Sequence, residues 1–159
     1  MPKKITVNPQ IAEWARAGKP RVVTVVDATG ASAGRLASYV AKRLLAGEEV
    51  HIVNSEKATV SGTKEAVLER YTFKRDIGTN RKGPYYPRVP HMMMKRTVRG
   101  MFNYQELSTH REAYKRLKCW IGVPENLSNQ QPIVIEKALS HAPRSVTFGD
   151  LAKTLGAKF

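Results

Sequence analysis

The feature that most narrows the fold is the run Val22 to Val26, in which Thr24 alone is polar, followed within a turn's length by a helical pattern. β-Branched side chains favour extended backbone, and an apolar run without alternation reads as a strand covered on both faces. Leu36, Ala37, Val40, Ala41, Leu44 and Leu45 then recur at the spacing of an amphipathic helix, and Gly47 stands where a left-handed cap ends one. Val50, Ile52 and Val53 supply a second buried strand. Strand, helix and strand in that order make the unit of a parallel sheet with helices above and below it. The sequence therefore predicts an α/β layered domain, and 159 residues that are 42% hydrophobic suffice for its core.

The remaining chain fits the same class. Asn8 and Pro9 open a short helix with Ile11, Trp14 and Ala15 on one face up to Gly18, so residues 1–20 read as an N-terminal extension ahead of a single domain over 21–159. Ser61 is the expected N-cap of a helix carrying Ala66, Val67, Leu68 and Tyr71, and residues 75–90 read as an extended loop. Met94, Val98 and Met101 share a face of a further helix. Another is expected to open at Thr109, with Glu112 at the capping-box spacing. Cys119 to Val123 and Ile133 to Ile135 are strand candidates, and Thr147 with Asp150 caps a final helix that buries Leu151, Ala152 and Leu155 and stops at Gly156.

Charge points to the partner. Lys plus Arg number 27 against 13 Asp plus Glu, a net charge of +14, which favours a polyanion. Cys119 is the sole cysteine, and the four histidines have no metal-ligand spacing among them, so neither a disulfide nor a zinc cluster is expected, and no cofactor. The opening residues Lys3 and Lys4 are followed by Asn8, Pro9, Gln10 and Glu13, which break the apolar run a secretory signal needs. An intracellular, soluble protein without a membrane span is expected.

The excess is concentrated. Between Lys74 and Lys118 lie twelve basic residues and three acidic ones, Asp76, Glu106 and Glu112, a local net charge of +9. Lys74 and Arg75 open this segment. The loop after them interleaves Arg81, Lys82 and Arg88 with Tyr85 and Tyr86, side chains suited to phosphates and to bases or riboses, and one of the two tyrosines is expected to pack the loop onto the domain instead. His91 is a weaker candidate for RNA contact. Lys95 and Arg99 lie one helical turn apart with Arg96 beside them, and Arg111, Lys115 and Lys118 repeat the spacing next to Arg116. Like charges so placed repel, and a counter-anion removes that cost.

Two other readings compete. Gly30, Ser32 and Gly34 spell a G-x-S-x-G turn between strand and helix, the setting of a hydrolase nucleophile. That fold needs further strands ahead of its serine, so a glycine-rich turn with Ser32 capping the helix is the better reading; Arg35 beside it can still meet a single phosphate. A free-standing RNA-binding regulator would use the same basic surface.

The combination Gly34-Arg35-Leu36-Ala37-Ser38, then Val50 to Lys57 with Ser61-Gly62, then Lys95-Arg96-Thr97-Val98-Arg99-Gly100-Met101 resembles the universal large-subunit ribosomal protein L-thirteen family. Tyr85-Tyr86-Pro87-Arg88 and Thr147-Phe148-Gly149-Asp150-Leu151 look like its archaeal branch. Phe102-Asn103 departs from the Leu-Pro that many members carry and touches only the packing at that helix end. The resemblance implies a three-layer α/β/α domain around a four-stranded parallel sheet, no catalytic activity, a cytoplasmic place in the large subunit, and large-subunit ribosomal RNA and neighbouring ribosomal proteins as partners. Carried over by position, it makes Arg88, Lys95, Arg96, Arg99 and Gly100 RNA-facing.

Overall fold

The computed structural model describes residues 23–79 and 81–159. Four parallel strands form the main sheet: β1 (Val23–Asp27), β2 (Glu49–Val53), β4 (Leu117–Cys119) and β5 (Ile133–Val134), in the order β4-β2-β1-β5. β1 runs beside β2 with Val23 opposite Glu49 and Asp27 opposite Val53, and beside β5 with Val26 opposite Ile133. A small antiparallel pair joins β3 (Thr59–Ser61) to β6 (Ser145–Thr147). The helices are α1 (Ala33–Leu45), α2 (Lys64–Asp76), α3 (Pro90–Arg99), α4 (Ser108–Lys115) and α5 (Phe148–Thr154). The expected α/β class with a four-stranded parallel sheet is thus the one observed. The leading helix read over residues 8–18 lies outside the described residues.

Side chains alternate along each strand, and this divides the core. Val26, Val50 and Ile52 face α1, α3 and α5, whose Leu36, Val40, Leu44, Met93, Met94, Val98, Phe148 and Leu151 are fully buried. Val25 and Val53 face the other way and meet Leu127, from the single turn of 3₁₀ helix at Glu125–Leu127. Gly47, with φ +101°, takes the left-handed position after α1, as its place in the sequence requires. Thr147 caps α5 as expected: its Oγ1 accepts from the Asp150 amide at 3.1 Å and donates to the Asp150 carboxylate at 2.8 Å.

Several local expectations need correction. Ser61 ends β3, and Thr63 is the N-cap of α2, accepting from the Ala66 amide. Thr109 lies inside α4, whose N-cap position is Leu107, without a side-chain cap bond. The strand expected over Cys119 to Val123 instead spans Leu117–Cys119, because Val50, His51 and Ile52 of β2 pair with Leu117, Lys118 and Cys119. Ladder pairing with a central strand outweighs the local helical pattern there.

The chain fills its own strand-end crevice. In sheets of this kind, the gap beyond the carboxyl ends of the strands, where the strand order reverses, is the usual ligand site. That reversal falls between β1 and β5, and residues 138–140 lie across it. Ser32 N–H donates to Ala138 O at 2.7 Å, Ser140 N–H donates to Gly30 O at 3.0 Å, and Ala31 bridges to Leu139. The G-x-S-x-G turn is therefore tied down by its backbone. Ser32 occupies the N-cap position of α1 but makes no side-chain cap bond, contrary to the capping role expected for it.

Candidate nucleic-acid interface

The basic segment is built around α3. Pro90 stands in its first turn, where the missing N–H costs nothing, and Pro90, Met93, Met94 and Val98 are buried. That anchors one face and turns Lys95, Arg96 and Arg99 to another. Met101 does not share the buried face as expected: the helix ends at Arg99, Gly100 is its C-cap, and Met101 is exposed, its sulfur accepting from Ser38 Oγ. Met92 is exposed as well, while Met93 and Met94 are packing residues.

Each cation of α3 lies over a tyrosine ring. Lys95 Nζ is 5.6 Å from the Tyr114 centroid, Arg96 Cζ is 5.1 Å from Tyr86, and Arg99 Cζ is 4.3 Å from Tyr104. Lys74 of α2 joins from the side, 5.0 Å from Tyr71 and 5.8 Å from Tyr86. The rings are themselves paired edge to face, Tyr71 with Tyr86 at 5.7 Å and Tyr104 with Tyr114 at 5.4 Å. Two tyrosine pairs thus flank the basic helix. A ring beneath a guanidinium attracts it through the ring quadrupole, about 0.5 to 1 kcal/mol at exposed sites. It leaves the in-plane N–H donors unused, and those are the groups that bind phosphate.

This resolves the two tyrosines of the loop. Tyr86 is half-buried against Tyr71, and burial together with Tyr71 holds its hydroxyl protonated far above the ordinary tyrosine range. Tyr85 is 67% exposed. The loop turns back on itself where Gly78 (φ +99°) meets Gly83; a Cβ on Gly78 would lie 2.3 Å from Gly83 O, so only glycine fits. Arg81 and Lys82 project from this turn and are exposed, as is Arg88 beyond it.

The other expected contacts are distributed unevenly. Arg75 is paired with the adjacent Asp76 carboxylate, which it holds below the usual carboxylate range. His91 is half-buried at the start of α3, and burial, reinforced by Lys95, lowers its pKa, so at neutral pH it brings a neutral imidazole. Arg111 donates to Gln105 O at 2.9 Å, and Lys115 is exposed in the last turn of α4. The helical stripe expected to run from Arg111 through Lys115 to Lys118 is interrupted, because α4 ends and Lys118 sits in β4, 2.9 Å from Glu49. Arg116 donates to Leu44 O at 2.6 Å and so holds the end of α1. Arg35 donates to Leu139 O at 3.3 Å, over the crevice rather than toward α3.

Tyr71, Tyr104 and Tyr114 were not among the expected site residues, although the same aromatic interleaving that marks Tyr85 and Tyr86 extends to them. A family model described as ribosomal protein L13 matches residues 21–126, a span that includes α3 and all of these tyrosines. The chain belongs to the ribosomal protein L13 family. It is similar to the large ribosomal subunit protein uL13 of Archaeoglobus fulgidus, 47% identical over 137 residues, which is 84% of this chain and 87% of that protein. The uL13 of Methanococcoides burtonii is 45% identical, covering 86% of this chain and the whole of that protein, and the uL13 of Thermoplasma acidophilum is 38% identical over 83% and 97%. The L13 resemblance read from the sequence is therefore established. Of the departure at Phe102-Asn103, Phe102 is buried and packs edge-on against His110 and Tyr114 at the base of the Tyr104 pair.

Proposed function

We propose that this chain is a structural constituent of the large ribosomal subunit, in the cytoplasm, where it binds folded large-subunit RNA through residues 74–118 and abuts neighbouring ribosomal proteins. No catalytic step is assigned to it. The family supports the assignment to the subunit. The observation that carries the RNA reading is the row of three cations on α3, each seated over a tyrosine ring. Folded ribosomal RNA offers closely spaced phosphates and 2′-hydroxyls, and contacts to these outnumber base readout. Arg81, Lys82, Arg88, Arg111 and Lys115 are further exposed cations of the same segment.

Two measurements test this. In sucrose gradients, the tagged protein is expected to travel with the large subunit through a high-salt wash; release at modest salt marks a transient binder instead. Replacing Lys95, Arg96 and Arg99 together with Ala is expected to weaken binding to large-subunit RNA and flatten the dependence of log affinity on log salt by about two units. An unchanged slope places those side chains off the phosphates.

A further inference from the structure

Beside the row of cations, the end of α3 and the segment after it enclose a cleft of about 420 Å³, lined by Arg96, Arg99, Gly100, Asn103, Tyr104 and Gln105 over the buried Phe102. That volume suits a small planar ligand. We propose that it receives one unpaired nucleobase of the bound RNA, stacked on the Arg99–Tyr104 pair. The inference rests on the RNA-binding reading and adds to it a subsite for a base, which shares Arg99 with the phosphate contacts.

Three observations support a base over a further phosphate. Arg99 makes the closest of the cation–ring contacts, its Cζ 4.3 Å from the Tyr104 centroid, so guanidinium and ring stand together in the lining of the cleft. Bases stack on guanidinium planes and on tyrosine rings, whereas phosphate takes the guanidinium edge. Asn103 and Gln105 line the rim; Asn103 Nδ2 donates to the Glu106 carboxylate at 2.6 Å, which orients its amide, and amide groups of this kind pair with base edges. The segment that forms the cleft is also braced by hydrogen bonds. Amides of Gly100, Met101 and Phe102 donate to carbonyls of Arg96, Val98 and Arg99; Asn103 N–H donates to His110 Nδ1 at 3.1 Å; and Arg111 fixes Gln105 O. Tyr104 stands edge-on to Tyr114, so its orientation is set before RNA arrives. Gly100, exposed and without a side chain, leaves the mouth open to a sugar-phosphate strand.

The test compares binding of the full-length protein to a short oligoadenylate and to an abasic ribose-phosphate oligomer of equal length, alongside its salt dependence. The oligoadenylate is expected to bind roughly fivefold or more tightly than the abasic strand, with both showing the same salt slope. Tyr104→Ala is expected to bring the ratio of the two affinities to about one, whatever it costs in binding of the abasic strand through the loss of the ring under Arg99, and Tyr104→Phe to keep the preference. Equal affinity of the wild-type protein for the two strands, with a normal salt slope, overturns the base site and leaves the RNA reading standing; this comparison needs no variant to fold. Binding of neither strand, nor of ribosomal RNA, overturns both. A preference that survives in a folded Tyr104→Leu variant also overturns the site.

Discussion

Arg116 reaches the carbonyl of Leu44 at 2.6 Å and so closes the C-terminus of α1 from the junction between α4 and β4. A cation is favoured at that end of a helix, where the Leu44 carbonyl also accepts from the Gly47 amide at 3.1 Å. Because that carbonyl keeps its backbone partner, Arg116→Ala is expected to cost about 1 kcal/mol of stability by urea denaturation, while the salt slope for RNA stays as in the wild type. A variant with unchanged stability and a flatter slope would show Arg116 to be an RNA contact instead.

Glu49 accepts from Lys118 at 2.9 Å and stands 3.2 Å from His51 Nε2, and these two, Lys118 first, hold its carboxyl below its ordinary value of 4.5. A depressed carboxylate contributes stability above its unfolded pKa and loses it as pH falls through the folded value. Glu49→Gln is thus expected to be less stable than the wild type at pH 7, with the gap closing as pH drops below 4.5. Asp27 adds a loss of the same sign below 3.8; burial pushes its carboxyl up, but donors from Asn54 and Thr29 outweigh it. A gap that stays constant down to pH 3 would remove the ion pair from the account.

Burial raises the Cys119 thiol to about 12, against a smaller opposing pull from Lys95. The thiolate is the reactive form, so iodoacetamide at pH 8 is expected to label the folded protein far more slowly than the urea-unfolded chain. Equal rates would mean that β4 does not shield the sulfur.

Tyr86 is the ring shared by Lys74 and Arg96. Tyr86→Phe keeps the ring and is expected to bind RNA as the wild type does, whereas Tyr86→Leu keeps apolar volume but loses the quadrupole, weakening RNA binding about two- to fivefold. Identical binding by the two variants would show that the ring only packs the loop.

The legible parts of this fold were those set by neighbours in sequence. The β1–α1–β2 unit followed from the valine run and the spacing of Leu36 to Leu44, and the α5 cap from Thr147 and Asp150. Errors arose where a distant partner decides. α4 stops short because Leu117 to Cys119 pair with β2, and nothing near Arg116 in the sequence points to Leu44. The cationic segment was visible in composition, but the match of Lys95, Arg96 and Arg99 to Tyr114, Tyr86 and Tyr104 is a tertiary arrangement that charge counting does not reach.

The main-chain bonds from Ser32 to Ala138 and from Ser140 to Gly30 also bear on how this scaffold can be used. A metabolite seeking the tips of β1 and β5 would have to evict a segment of polypeptide already satisfied by its hosts, losing paired amides and carbonyls in the exchange. Engineering a small-molecule sensor from this domain would thus begin with excision of that plug, while any new recognition grafted onto the outer flank of α3 leaves it untouched.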